Sequence, residues 1–179
     1  MPADSQVSNQ TEVDFAGRRD ISVKIQKSFF SGGKETMSMH TVAVMGLGVR
    51  GKIHLHGLLE NPDYYKVVGL CDIDEPKMKA VAEEYHLDDV PLFTDAEEML
   101  KETRPEIFVF VTYPDLRLSV IQLAVKYGVK GISFEKPMAE SLQEAKKIVK
   151  LCHDNGIKAV VCHQQKYLSQ MQTLKKRIE

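Results

Sequence analysis

The sequence predicts an α/β protein of the Rossmann type: a doubly wound parallel sheet with strand order 3-2-1-4-5-6. Three observations lead there. From Thr41 onward, short apolar runs alternate with helix-period segments. That alternation builds βαβ units joined by right-handed crossovers. The run Ile107 to Val111 is apolar at every position, as a strand covered on both faces requires. Finally, TVAVMGLGVRG, Thr41 to Gly51, sets G-x-G-x-x-G between a strand and a helix, the order of a dinucleotide-binding turn.

The elements follow in order. Strand one is Val42 to Met45, and its helix runs to Leu59, where Asn61-Pro62-Asp63 stops it because proline cannot continue a helix. Strand two is Lys66 to Cys71. Pro76 fits the first turn of the second helix, which carries Met78, Val81, Ala82 and Tyr85. A short third strand lies near Pro91 to Phe93. Thr94 with Glu97 reads as a capping box for the helix to Lys101. Strand four, Ile107 to Val111, leads through Tyr113-Pro114-Asp115 into a helix, Leu116 to Tyr127, ended by Gly128. Strand five is Gly131 to Phe134. Ser141 with Glu144 caps the next helix, which Asn155-Gly156 ends. Strand six is Lys158 to Cys162, and a last helix spans Leu168 to Ile178.

Residues 1–39 differ. They are polar and hold no long helical period, apart from a strand-like Ile21 to Ile25 and an apolar Phe29-Phe30. A flexible leader is expected there. Residues 40–165 are expected to form the dinucleotide-binding domain, with 166–179 following it.

Composition excludes several classes. The 179 residues carry a formal net charge of -1, which gives no electrostatic basis for nucleic-acid binding. No apolar run has the length of a membrane span, and the N-terminus lacks the apolar core of a signal peptide. Three cysteines form no disulfide framework. A cytoplasmic protein with a small-molecule substrate, and neither nucleic-acid nor membrane partners, is expected. Cys152-His153 and Cys162-His163 match no usual ligand spacing, so no metal is expected.

The chemistry concentrates at three places. Gly46 permits the sharp turn, Gly48 lets backbone approach a pyrophosphate, and Gly51 lets the helix pack closely. The helix N-terminus offers N–H groups and partial positive charge to phosphates. Asp72 stands 26 residues after Gly46, at the tip of strand two, placed to accept hydrogen bonds from the ribose hydroxyls. It favours NAD over NADP, because a carboxylate repels a 2′-phosphate; Lys77 nearby counts the other way. Glu135-Lys136-Pro137 ends strand five, where ligands of open α/β sheets bind. A lysine there can donate to a substrate oxygen or shuttle a proton.

From Val42 to Glu179 the chain resembles the N-terminal domain of the Gfo/Idh/MocA oxidoreductases, a family that includes glucose-fructose oxidoreductase and inositol 2-dehydrogenase. The resemblance rests on GLGVRGKIH (Gly46 to His54), CDID (Cys71 to Asp74), AVKYG (Ala124 to Gly128) and EKPMAES (Glu135 to Ser141). It implies hydride transfer between NAD and a CH–OH carbon of a sugar, cyclitol or related metabolite. It implies that Gly46, Gly48, Val49, Arg50 and Gly51 line the pyrophosphate and that Asp72 holds the ribose. Thr112, Tyr113 and Pro114 would pass beside the cofactor. Glu135 and Lys136 would sit by the nicotinamide, with Lys136 catalytic and the Lys136–Pro137 bond cis. His163, Gln164 and Gln165 would reach the cofactor from the loop after strand six. Three positions depart from the family pattern: Tyr113 follows Thr112 where a Pro is usual, Arg117 stands where a His is usual, and Lys166 where an Arg is usual. Family members continue into a C-terminal α/β domain that supplies the substrate side of the cleft, the partners of the lysine and often the dimer interface. The expectation is therefore a domain that binds cofactor and is inactive alone. The alternatives are a non-catalytic NAD-binding regulatory module or accessory subunit, and a methyltransferase-like domain.

Overall fold

The computed structural model describes residues 39–178. The expected leader, with its Ile21 to Ile25 strand, lies outside the described residues except for Met39. Six strands form one parallel sheet of order β3-β2-β1-β4-β5-β6, as the sequence predicts. The strands are β1 (His40–Met45), β2 (Tyr65–Cys71), β3 (Leu92–Phe93), β4 (Ile107–Phe110), β5 (Gly131–Glu135) and β6 (Lys158–Cys162). The connecting helices are α1 (Val49–Leu59), α2 (Glu75–Glu84), α3 (Ala96–Thr103), α4 (Arg117–Lys126) and α5 (Leu142–Asp154). The last helix, α6 (Ser169–Ile178), follows β6.

The sheet's two faces explain the apolar runs. Val42 and Val44 pack with Leu55, Met78, Val81 and Ala82 of α1 and α2. Ala43, between them, joins Met99, Leu100, Val120, Ile121, Ile148 and Cys152 of α3, α4 and α5. Alternate residues of one strand thus serve opposite cores, so a central strand has no polar side. Phe110 stacks on Phe134 at 5.1 Å between ring centres and meets Phe108 at 5.3 Å. These rings tie β4 to β5. β6 forms the sheet edge, and its Val160 is exposed.

Helix ends carry two corrections. The cap of α3 is Asp95, whose carboxylate accepts from the Glu98 N–H at 2.8 Å, and not Thr94. Asp95–Glu98 repeats the same spacing one residue later, and a charged acceptor is the stronger partner for a helix N-terminus. At α5, Ser141 Oγ accepts from the Glu144 N–H at 3.1 Å as expected, but Glu144 reaches back to the Glu140 N–H. A single 3-10 turn, Pro114–Leu116, precedes α4, so the regular helix starts at Arg117 rather than Leu116. Gly128 and Gly156 close α4 and α5 with positive φ. Among the described residues no helix is long and apolar enough to cross a membrane.

Candidate functional site: a cofactor crevice at the strand ends

The sheet reverses direction at β1, which has β2 on one side and β4 on the other. Crossovers leave in opposite directions there, so a crevice opens at the carboxyl ends of the two strands. The glycine turn occupies this end of β1. Gly46 has φ of +84°, and a Cβ on it would lie 2.2 Å from the Val111 carbonyl oxygen. The Gly46 N–H donates to Cys71 O, and the Val111 N–H donates to Met45 O, both at 2.8 Å. The turn is therefore pinned between the ends of β2 and β4.

The three glycines separate by cause. Gly51 would place a Cβ 1.7 Å from the Gly46 carbonyl oxygen. Its close contact is with the turn itself, at the Gly46 carbonyl. Gly48 is different: a Cβ there meets nothing within 4 Å. The fold does not require glycine at that position. Gly48 is also the N-cap of α1 and gives no side-chain cap, and the first turn of α1 holds no acid. By contrast, Asp74, Asp95 and Ser141 cap α2, α3 and α5. Gly48, Val49 and Arg50 are exposed around these uncapped N–H groups. Space without a side chain and N–H groups without a cap suit a pyrophosphate.

Asp72 lies at the tip of β2, as the sequence places it, but it is only 6% exposed. Oδ2 accepts from the Leu47 N–H at 2.6 Å, and Oδ1 from the Asp74 N–H at 3.0 Å. Lys77 Nζ sits 2.9 Å from Oδ1. Burial pushes this carboxyl up. The hydrogen bonds from Asp74, Lys77 and Leu47 outweigh it and hold the group below the usual carboxylate range. Asp72 thus organises the glycine turn from the end of β2.

Thr112, Tyr113 and Pro114 follow β4 at the reversal point. Thr112 Oγ1 donates to Tyr113 O at 3.2 Å, and the Tyr113 ring is exposed. At the end of β5, Glu135 is buried while Lys136 is exposed. The Lys136–Pro137 peptide is cis. Glu135 Oε1 lies 3.0 Å from His54 Nε2 and 3.4 Å from Gln164 Nε2. The structure thus brings Gln164 to the Glu135 carboxylate, while His163 and Gln165 are exposed.

Three residues gain roles that sequence reading did not supply. His54 is bonded to Glu135 across 81 residues of chain. The signal available was its place one helical turn beyond Gly51. Lys77 pairs with Asp72; the signal was its third place after the α2 cap, Asp74. Arg117 is 2% exposed, with its Nε and Nη1 lacking hydrogen-bond partners among the described residues. Its Nη2 donates to Thr112 O at 3.4 Å and Lys136 O at 3.5 Å, and the guanidinium lies 5.8 Å from the Phe134 ring centre. Burial pulls its pKa down, and the nearby Glu135 opposes that pull. No periodicity announces a buried arginine.

His54, Glu135 and Cys162 bring an imidazole nitrogen, a carboxylate oxygen and a thiol within 4.8 Å of one another. The grouping was not legible from spacing. Glu135 already accepts from its neighbours, Arg117 adds positive charge beside it, and Ser133 Oγ lies 3.3 Å from the thiol. These surroundings suit a hydrogen-bonded cluster better than a cation. A groove beside α1, lined by Ile53, His54, Val109, Ser133 and Val160, is separate from the glycine turn.

Comparison with known proteins supports this architecture. Residues 40–163 match the model of the oxidoreductase family with an NAD-binding Rossmann fold, GFO_IDH_MocA. The chain is 26% identical over 144 residues to the uncharacterized protein YMR315W of Saccharomyces cerevisiae, covering 80% of this chain and 41% of the relative. Among solved structures, it superposes with TM-score 0.71 on the WlbA dehydrogenase of Bordetella pertussis in complex with NADH and UDP-GlcNAcA. That match is 23% identical and covers 79% of this chain and 42% of the other. It superposes with TM-score 0.70 on the scyllo-inositol dehydrogenase of Lactobacillus casei with bound NAD(H) and scyllo-inositol, at 15% identity, covering 79% and 41%. At these identities the structural likeness carries the fold, and the chain spans less than half the length of these relatives. The family match covers most of the chain, and on it the protein belongs to the Gfo/Idh/MocA oxidoreductases, as their NAD-binding Rossmann domain.

Proposed function

We propose that this chain is the cofactor-binding domain of an NAD-dependent oxidoreductase acting on a CH–OH group of a sugar, cyclitol or related metabolite. The observation that carries the reading is the uncapped N-terminus of α1 behind Gly48, at the sheet's reversal point. In this reading the N–H groups of Gly48, Val49 and Arg50 hold the pyrophosphate, between Gly46 and Gly51. Asp72 takes the adenosine ribose. Thr112, Tyr113 and Pro114 flank the cofactor on the β4 side. Glu135, steadied by His54 and Gln164, supports the nicotinamide end.

The nicotinamide, when bound, supplies the hydride acceptor or donor. Lys136 exchanges a proton with the substrate oxygen at its side-chain nitrogen: the neutral amine takes the alcohol proton as the hydride leaves, and the ammonium returns it in the reverse reaction. The rest of the chain contributes positioning. Residues 40–165 make up this domain, and 166–179 lead towards a substrate-side domain that completes the cleft. Inactivity of the 179-residue chain alone, a cytoplasmic location and homo-oligomers formed through the second domain belong to the same proposal.

The test is a fluorescence titration of the chain with NADH. Saturable binding is expected, and it should be lost in Gly48→Ala while Lys136→Ala still binds. Tighter binding of S-adenosylmethionine than of NADH would overturn the reading in favour of a methyl-transfer domain. Binding with no turnover, even when a substrate-side α/β domain is supplied, would favour a regulatory module.

A further inference from the structure

The ends of β4 and β5 separate at the crevice. Their ladder ends at the pair Phe110↔Phe134. Beyond it, the Val111 N–H donates to Met45 O of β1, while Glu135 pairs with Cys162 of β6. The two strands are thus drawn to opposite neighbours just before Thr112 and Lys136. Arg117 spans this gap: its Nη2 donates to Thr112 O at 3.4 Å and to Lys136 O at 3.5 Å. Those two residues keep the register of the ladder, two positions past its last pair. The side chain therefore continues a link that the backbone has stopped making.

Stability alone gives little reason for a cation at this place. Arg117 is the first residue of α4, and positive charge at a helix N-terminus opposes the helix dipole. It is also buried, with two nitrogens lacking hydrogen-bond partners among the described residues. A buried cation with spare donors costs stability, and bonds of this length return little of it. The Phe134 ring, 5.8 Å from the guanidinium, and the nearby Glu135 carboxylate offset part of that cost. An apolar side chain could fill the same space, but it could not hold carbonyl oxygens of two different loops to one nitrogen. What the arginine adds is the spacing between those loops, and a site needs such support to keep its reacting group in place.

We propose that Arg117 is a positioning residue for Lys136. By tying Lys136 O to Thr112 O, it sets where the Lys136 backbone stands beside the crevice, and so where the side-chain nitrogen can reach. This rests on the reading that Lys136 meets the substrate oxygen beside the nicotinamide. Arg117 acts through the Lys136 carbonyl and touches neither cofactor nor substrate.

The experiment compares the full chain with Arg117→Met and Arg117→Lys in two measurements. Amide hydrogen exchange reads the link. Segments 112–116 and 136–141 should exchange about fivefold faster in Arg117→Met, the loss of roughly one hydrogen bond of local stability, while the rest of the sheet keeps wild-type rates. Acetic anhydride labelling of Lys136, read by peptide mass, tests the positioning. Saturating NADH should slow this labelling in wild type, and Arg117→Met should lose at least about half of that protection. Arg117→Lys, which can offer one nitrogen to both carbonyls, should restore most of it. If circular dichroism shows Arg117→Met unfolded, Arg117→Gln, shorter and neutral, carries the same expectations. Wild-type exchange in the two segments, or undiminished protection of Lys136, overturns the inference and leaves the reading of Lys136 standing. NADH that leaves wild-type Lys136 unprotected is a different result, since it removes that reading and this inference with it.

Discussion

The carboxylate of Asp72 accepts a 2.6 Å hydrogen bond from the backbone N–H of Leu47, 25 residues earlier in the chain. Leu47 lies inside the glycine motif and is fully buried. The tip of β2 and the turn after β1 are thus one unit. A residue that the sequence reads as a ligand contact is also a brace for the glycine turn.

Asp72→Ala should therefore destabilise the apo protein, by about 1–3 kcal/mol, because buried donors lose their acceptor. Asp72→Asn keeps one acceptor oxygen and should cost less. The sign with pH follows from the lowered carboxyl. Its stabilising effect is present above the unfolded value of about 4 and is lost as pH falls through the folded value. Urea unfolding should show the gap between wild type and Asp72→Asn at pH 7, narrowing in acid. An equal gap at both pH values would remove the charge from this account.

The glycines should part ways on substitution. Gly51→Ala and Gly46→Ala force a Cβ against backbone oxygen at 1.7 and 2.2 Å, so each should lose at least about 3 kcal/mol of stability. Gly48→Ala meets open space and should unfold within about 0.5 kcal/mol of wild type. Its cost should appear in NADH affinity. A thermal melt and a titration on the same samples separate the two effects. A stable Gly51→Ala protein would contradict the geometry.

Arg117 sets a case where removing a charge helps. Two of its nitrogens are buried without hydrogen-bond partners among the described residues, and its bonds to Thr112 O and Lys136 O are long. Replacing a poorly satisfied buried charge with an apolar chain of similar length is often neutral or stabilising. Arg117→Met should keep or raise the midpoint of urea unfolding at pH 7. A loss above about 2 kcal/mol would mean that its charge is needed to balance Glu135.

Thiol chemistry gives a check on burial. Cys71 and Cys152 are buried and Cys162 is partly exposed. Burial first, then the charges of Asp95 and Asp72, push the Cys71 thiol up to about 12, and burial raises Cys152. Thiolate is the reactive form. Iodoacetamide at pH 8 should label Cys162 in the native protein and all three cysteines in urea, read by peptide mass. Native labelling of Cys71 ahead of Cys162 would contradict the packing.

The central strands were legible because each must feed two cores. The run Ile107 to Val111 had nowhere to be but the middle of the sheet. Caps were less legible: Thr94 and Asp95 both carry the right spacing, and the choice falls to acceptor strength. Within the site, the glycine turn and Asp72 could be read because their spacing is set locally by one βαβ unit. His54 with Glu135, and Arg117 under the β4 and β5 loops, could not be read, because those pairs depend on which strands lie side by side.

By itself the sequence determined the order of strands and helices, the conformation demanded at Gly46 and the acid at the tip of β2. These follow from periodicity, from steric limits on backbone and from short chain separations. Only the tertiary structure decided that Asp72 braces the glycine turn, that Lys77 neutralises it, and that Arg117 is buried with donors to spare. Those outcomes depend on desolvation and on partners brought together through space. Charge burial is a property of the packed surroundings, which no stretch of chain contains by itself.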